Sequence, residues 1–123
     1  MRLLLDTQIL VWMITGDRRL TKAWRDAIAG PDAELQVSAV VAVEYTELQI
    51  RQRLPVDETI AELVDRFDLE VAALPAECWE IVRGLPPIHR DPVDRMLVAH
   101  ALAEGMSLIT ADAKIQSYPV TCI

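Results

Sequence analysis

Four acidic residues lie where a carboxylate is costly unless it has a partner. Asp6 and Asp112 each follow a short apolar run. Asp94 and Glu44 each share a predicted helix face with apolar residues. A carboxylate at the edge of a buried surface must be paired, protonated or bound to a cation. Oxygen donors suit Mg²⁺ or Mn²⁺, and no cluster of His and Cys indicates zinc. The four acids predict a divalent-cation site if the fold brings them together.

The segment from residue 89 to residue 112 predicts the elements that carry two of these acids. Asp91 and Pro92 are typical of the N-cap and the first position of a helix, and Gly105 is typical of its end, so a helix is expected over residues 93–104. Asp94 lies at the third helical position, where its side chain could accept a hydrogen bond from the cap amide instead of contributing to a cation site. The helix alone does not decide between these two roles. A buried strand at 107–110 then delivers Asp112 near the start of this helix, which favours a shared site.

The rest of the chain alternates strands with helices. Further strands are predicted at residues 2–5, 34–38, 69–74 and 120–123, and helices at 9–14, 21–29, 39–53, 57–67 and 76–84, with a helical turn at 113–116. This alternation predicts one α/β domain over residues 1–123, with a parallel sheet covered by helices on both faces. In such sheets ligands bind beyond the carboxyl ends of the strands, where Asp6 and Asp112 are placed.

Composition excludes several classes of protein. With 52% hydrophobic and 25% charged residues the chain is an ordinary globule, and no apolar run approaches the roughly 20 residues of a membrane span. Asp6 interrupts the apolar start, so no signal peptide is expected. Cys78 and Cys122 are too few for a disulfide framework, which favours a reducing compartment. We therefore expect a cytoplasmic protein without a membrane partner.

Basic residues are fewer than acids but are unevenly spread. The net charge is −7, so the surface as a whole should not attract nucleic acid. The candidates for a local basic rim that could contact RNA are Arg18, Arg19, Arg90 and Arg95. Taken singly, each of them is better explained as a solvated helix or loop residue. The same holds for His89, which could touch a phosphate, whereas His100 is predicted to be structural.

A family resemblance is carried by four stretches, LLLDTQILVW, SAVVAVE, HRDPVDRMLVAHAL and LITADAKI. Together they resemble PIN-domain proteins, and in particular the VapC-type toxins of bacterial toxin–antitoxin pairs. The resemblance spans nearly the whole chain and implies a three-layer α/β/α fold with a short central parallel sheet. It also implies an endoribonuclease dependent on Mg²⁺ or Mn²⁺, with RNA as substrate. Such proteins are usually homodimers or larger even-numbered assemblies, held inactive by a cognate antitoxin protein.

The resemblance also assigns the site. The family's catalytic and metal-binding acids fall on Asp6, Glu44, Asp94 and Asp112. Asp91, Thr110 and Thr7 are accessory candidates, and Thr110 matches the family's hydroxyl beside the last acid. Gln8 stands where many relatives have His, so a substrate contact made by that His is not expected here. Val43 replaces a common aromatic residue, which is a change of packing.

Other acidic α/β classes lack a required feature. A response-regulator receiver needs an acidic pair after its first strand, and a haloacid-dehalogenase-type phosphatase needs an acid where Gln8 stands. The alternative left open is a catalytically weak module that binds RNA or protein. For an antitoxin, we expect an Arg inserted among the acids and an apolar groove on the early helices around Trp12 and Trp24.

Overall fold

The fold is built on four short parallel strands. A computed structural model describes residues 1–123. The strands are β1 (Arg2–Leu5), β2 (Glu34–Ser38), β3 (Glu70–Ala72) and β4 (Ser107–Ile109). The helices are α1 (Thr7–Thr15), α2 (Lys22–Ile28), α3 (Ala39–Ile50), α4 (Ile60–Phe67), α5 (Cys78–Gly84), α6 (Pro92–Glu104) and α7 (Ala113–Gln116). The strand order is β3-β2-β1-β4, with Leu3 opposite Leu35 on one side and Ser107 on the other.

Strand β1 lies at the centre of the hydrophobic core. Leu3, Leu4 and Leu5 are completely buried, as expected of a parallel strand covered on both faces. Helices cover the sheet in a three-layer α/β/α arrangement, which confirms the predicted fold class. None of the seven helices has the length and apolar character needed to cross a lipid bilayer.

Helix α6 confirms the prediction made from local capping chemistry. The Asp91 side chain accepts hydrogen bonds from the backbone N–H groups of Val93 and Asp94, and Pro92 occupies the first helical position. At the other end Gly105 has φ 64°, the left-handed conformation that glycine adopts without strain. The helix consequently begins and ends within one residue of its predicted bounds.

Several other boundaries differ from the prediction, each for a local reason. Helix α4 begins at Ile60 rather than residue 57 because Thr59 and Glu62 form a reciprocal capping box. Helix α3 ends at Ile50, before Gln52 with its φ of 56°. The predicted strand at 120–123 is wrong: only one bridge, from Cys122 to Leu108, is present there.

The three tryptophans have different environments. Trp12 is 7% exposed and stacks on Trp24, with ring centroids 6.3 Å apart. The Trp24 indole N–H donates to the Ile123 carbonyl at 2.8 Å, which ties α2 to the end of the chain. Trp79 on α5 is 67% exposed. Trp12 still lines a pocket of about 380 Å³ together with Val11 and Leu54, so the predicted groove on the early helices stays a prediction. The largest exposed aromatic surface is that of Trp79.

Candidate active site

Two of the acids lie at the point where the strand order reverses. From β1 the chain proceeds to β2 on one side of it, and β4 returns to its other side. Asp6 follows β1 and Asp112 follows β4, and the Asp6 N–H donates to the Ile109 carbonyl at 3.1 Å. Each acid is also an N-cap, Asp6 of α1 and Asp112 of α7. Strand ends and helix starts thus bring both carboxylates to one edge of the sheet.

Thr110 connects these two acids. Its buried hydroxyl donates to Asp6 Oδ2 at 2.7 Å and accepts the backbone N–H of Asp112 at 3.1 Å. The other Asp6 oxygen, Oδ1, accepts the Thr7 N–H at 2.8 Å. Both oxygens of Asp6 are therefore held in place, and the hydroxyl expected at Thr110 has a specific structural task.

Asp94 does not cap its helix. The amide that a capping acid at this position would bind is the N–H of Asp91, and that N–H donates instead to Nδ1 of His89 at 3.0 Å. The Asp94 side chain turns toward the other acids, and 17% of it is exposed. The structure thus decides the ambiguity at Asp94 against the capping role.

His89 lies between two carboxylates, a position that the sequence did not indicate. Its Nε2 is 3.0 Å from Asp112 Oδ2 and 3.0 Å from Asp94 Oδ2. The ring N–H is directed at Asp112, with which it forms a hydrogen bond. One ligand atom from each of these three residues fits within 4.8 Å of the others. The only indication of this position in the sequence was the backbone N–H of Asp91 at the helix cap, which needs a hydrogen-bond acceptor nearby.

Glu44 joins the cluster from α3. Its Oε1 accepts a 2.6 Å hydrogen bond from the Thr7 hydroxyl, and the side chain is half-buried. Thr7 thus holds Asp6 by its amide and Glu44 by its hydroxyl. Burial, with the charges of Asp6 and Asp91, raises the pKa of Glu44 although the Thr7 bond opposes the shift.

The other three acids differ sharply in electrostatics. Burial raises the pKa of Asp6, and the nearby charges of Asp112 and Asp91 add to the rise. Burial and the charges of Asp6 and Asp91 raise the pKa of Asp94 from 3.8 to about 7. Burial also acts on Asp112, but the His89 hydrogen bond and the backbone N–H groups of α7 outweigh it, so the pKa of Asp112 is lowered.

This donor set fits a hard divalent cation. Asp94 is the one acid of the cluster with no hydrogen-bond donor directed at its carboxylate. It is also the acid whose pKa rises to about 7, and a bound cation would favour its ionised form. Carboxylate oxygens are the ligands that Mg²⁺ and Mn²⁺ prefer. The residues that would hold the cation are Asp6, Asp94 and Asp112, with Glu44 beside them.

The arginines predicted to contact RNA have different environments. The Arg95 guanidinium donates to the carbonyls of Pro86 and Val82 at 2.9 Å and to the Tyr118 hydroxyl at 3.1 Å. It braces the loop before α6, and its contact with RNA stays a prediction. Arg19 pairs with Asp17 and lies over the Trp12 ring. The two remaining candidates, Arg90 and Arg18, are exposed and form no ion pair.

An apolar cavity of about 590 Å³ opens beside the start of α6. Its wall includes Trp79, Leu74 and Met96, with Arg90 and Arg95 at one side. None of the four predicted catalytic acids lines it. The chain thus has an acidic cluster and, next to the residues that flank Asp91 and Asp94, a separate apolar groove.

Comparison with known proteins gives a consistent family. A family model described as PIN domain matches residues 3–120. The chain is 29% identical over 126 residues to Ribonuclease VapC22 of Mycobacterium tuberculosis (strain ATCC 25618 / H37Rv), covering 96% of this chain and 95% of that protein.

Three solved structures are similar in fold. VapBC2 from Rickettsia felis, bound to a DNA fragment from its promoter, gives a TM-score of 0.69 at 17% identity, covering 100% of this chain and 98% of that one. Mycobacterium tuberculosis VapC20, described as a Sarcin-Ricin loop cleaving toxin, gives 0.63 at 20% identity, with coverages of 94% and 93%. VapBC-1 from nontypeable Haemophilus influenzae gives 0.58 at 21% identity, with coverages of 100% and 97%.

The raised pKa of Asp94 predicts a pH-dependent stability in the absence of divalent cations. Between about pH 4 and pH 7 native Asp94 keeps a proton that the unfolded chain has lost, so the free energy of unfolding falls as the pH rises through this window. In EDTA, Asp94→Asn should show a shallower fall, because its side chain cannot ionise. Urea unfolding at about pH 5 and about pH 8 gives the change in the free energy of unfolding between the two pH values for each protein. The exposed Asp65 on α4 provides the control, and Asp65→Asn should keep the wild-type slope. Equal slopes in all three proteins would contradict the burial of charge at Asp94.

Proposed function

The chain belongs to the PIN-domain family, and on this premise we propose that it is an endoribonuclease dependent on Mg²⁺ or Mn²⁺. The observation that carries the proposal is the convergence of Asp6, Asp94 and Asp112 at the strand-order reversal, with Glu44 linked to Asp6 through Thr7. These acids come from four separate elements, and a structural role for any one of them would not require the others. Four acids held together at one sheet edge are expected of a site that binds a divalent cation and a phosphodiester.

Each residue of the site has a definite task in the proposed reaction. A divalent cation supplies the positive charge that polarises the phosphodiester and lowers the pKa of water. Thr110 and the Thr7 amide fix the two oxygens of Asp6, so that this carboxylate does not reorganise during the reaction. Asp94 would hold the cation, whose charge would favour the ionised carboxylate. Glu44 keeps Oε2 free of protein donors, where it can accept a hydrogen bond from the attacking water.

The relative named as a ribonuclease and the similar VapBC structures support a role as the toxin of a toxin–antitoxin pair. We propose that RNA is the substrate and that a cognate antitoxin protein inhibits cleavage. We also propose a homodimer, supported by the apolar side chain of Val43, which is 63% exposed on α3 and lines a groove with Val40 and Met96. Light scattering of the purified chain measures this oligomeric state directly.

Cation binding should stabilise the wild type and depend on Asp6. Mg²⁺ or Mn²⁺ binds the native state only, so a saturating concentration raises Tm by mass action. Asp6→Asn should show a much smaller rise, because it removes one anionic ligand from the site. Thermal unfolding with EDTA, Mg²⁺ and Mn²⁺ provides the measurement. An equal rise in Tm in both proteins would remove Asp6 from the cation site.

Asp94→Asn separates a nuclease from a binding module. The variant should fold, because Asp94 contributes only its backbone N–H to the cap, yet cleavage of RNA should fall at least about 100-fold. Binding to RNA should persist. The assay is cleavage of total cellular RNA with Mg²⁺ or Mn²⁺ and 5′-end mapping of the products. Full cleavage by the variant would contradict the role of Asp94, and a wild type that binds RNA without cutting it would favour the binding module.

The antitoxin is expected to use both the acidic cluster and the apolar groove beside it. A guanidinium pairs bidentately with carboxylates, so an antitoxin Arg would compete with the cation. One such ion pair supplies little affinity, so an apolar anchor is needed. With Trp12 buried, the exposed Trp79 in the 590 Å³ groove offers this anchor.

Co-expression with the small protein encoded beside this gene tests that arrangement. The neighbour should co-purify and abolish cleavage, and should lose potency when its inserted Arg is changed to Ala. Trp79→Ala should weaken the complex by about 10-fold or more, as expected for a buried aromatic anchor. Ile50→Ala provides the control, because Ile50 is 70% exposed on α3 outside this groove. A protein that no neighbour binds, and that is harmless when expressed alone, would contradict the toxin role and leave the nuclease chemistry standing.

A further inference from the structure

His89 lies in the acidic cluster, and the proposed reaction gives its imidazole no task. Its Nε2 lies 3.0 Å from a carboxylate oxygen of Asp94 and 3.0 Å from one of Asp112. Two carboxylates and an imidazole at this spacing also form a common transition-metal site. The position therefore admits two roles: His89 either binds the cation directly or holds the acids that do.

The backbone decides between these roles. A backbone N–H can only donate, and the N–H of Asp91 is 3.0 Å from Nδ1 of His89, so Nδ1 accepts and carries no proton. The neutral ring then carries its proton on Nε2, which donates to Asp112 Oδ2. A protonated Nε2 has no lone pair for a metal. For Nε2 to bind a cation, the proton would have to move to Nδ1, where it would face the Asp91 N–H.

The loop that carries His89 is itself held in place. The His89 N–H donates to the Tyr118 hydroxyl at 2.8 Å, and Arg95 donates to the same hydroxyl at 3.1 Å. Arg95 also binds the Pro86 carbonyl at the start of this loop. The ring is only 14% exposed and is fixed by contacts with its backbone and with both of its nitrogens. Its orientation is therefore built into the fold.

We propose that His89 is a positioning residue that donates from Nε2 to Asp112 beside Asp94 and keeps the cation site composed of oxygen ligands. Its proton satisfies Asp112 Oδ2, while the α7 N–H groups of Lys114 and Ile115 satisfy Oδ1. Asp94 is left without a donor and free to take the cation. The consequence is a preference for hard cations such as Mg²⁺ and Mn²⁺ over Zn²⁺ and Co²⁺ that bind imidazole. The inference rests on the proposed function in assuming that the site binds a divalent cation.

Two substitutions of similar size separate the two roles. Gln carries an amide N–H at about the distance of Nε2, and Leu has no donor. His89→Gln should bind Mn²⁺ with an affinity within about 3-fold of the wild type, whereas His89→Leu should lose about 10- to 100-fold, as removal of a donor behind a metal ligand typically does. Mn²⁺ binding is followed by electron paramagnetic resonance, which does not depend on cleavage. Circular dichroism and Tm in EDTA establish that both variants fold.

Two spectroscopic measurements complete the test. Nitrogen-15 NMR of wild-type His89 should show Nδ1 without a proton and Nε2 with one, both before and after addition of Mg²⁺. The visible absorption spectrum of bound Co²⁺ should be the same in the wild type and in His89→Gln, because no nitrogen ligand is lost. A changed Co²⁺ spectrum together with weak Mn²⁺ binding in both variants, or a proton on Nδ1, would overturn the proposal in favour of direct ligation.

The remaining outcomes distinguish this inference from the proposed function. Equal Mn²⁺ affinity in the wild type and in both variants would overturn the role of His89 and leave the cation-dependent nuclease unaffected. Absence of Mn²⁺ binding by the wild type would overturn the cation dependence in the proposed function, and the positioning role would fall with it. If neither variant folds, the NMR result on the wild type decides, because it reads the tautomer without any substitution.

Discussion

The burial of neighbouring carboxylates is the constraint to which the rest of the site responds. Asp6, Glu44 and Asp94 all have raised pKa values, with burial as the largest cause and neighbouring negative charges adding to it. The chain reduces this cost with directed donors, the Thr110 hydroxyl to Asp6 and the Thr7 hydroxyl to Glu44. Asp94 receives no such donor, and its pKa of about 7 makes it the acid with the most to gain from a cation. Directed hydroxyl donors therefore stabilise Asp6 and Glu44 but not Asp94. The carboxylate without a donor marks the proposed position of the cation.

The fold brings two of these carboxylates together because each lies where a strand ends and the next helix begins. Asp6 ends the link from β1 to α1 and Asp112 the link from β4 to α7, and each caps the helix that follows. A carboxylate at a helix N-terminus is favoured by the unpaired N–H groups and by the helix dipole. The same bonds fix the side-chain rotamer. Positioning for chemistry and stabilisation of the local fold are therefore achieved by the same hydrogen bonds in both residues.

Much of the fold was predictable because its signals are local. The start of α6 at Asp91-Pro92 and its end at Gly105 follow from capping chemistry within a few residues, and the buried run of β1 follows from composition. The family resemblance named the four acids, and the structure places them on four elements around one sheet edge. The contacts of His89 and Arg95 were not predictable in this way. Both depend on partners far along the chain, such as Tyr118, and no local sequence pattern around a His or an Arg indicates a partner of this kind. The strand predicted at 120–123 failed because a short apolar run at a sheet edge does not specify pairing.

The seven residues from His89 to Arg95 contain four functions in one short stretch: a donor at His89, a helix cap at Asp91, the proposed cation ligand Asp94 and a brace at Arg95. Pro92 to Arg95 lie on the first turn of α6, so a one-residue insertion between Pro92 and Asp94 would rotate Asp94 by about 100° relative to the cap at Asp91. A change of length within this turn would therefore disrupt the site, whereas a substitution would keep its spacing. For protein design, the same property makes the stretch a portable unit: an α/β scaffold that receives it must supply a tyrosine hydroxyl, a capping aspartate and the backbone carbonyls that Arg95 binds.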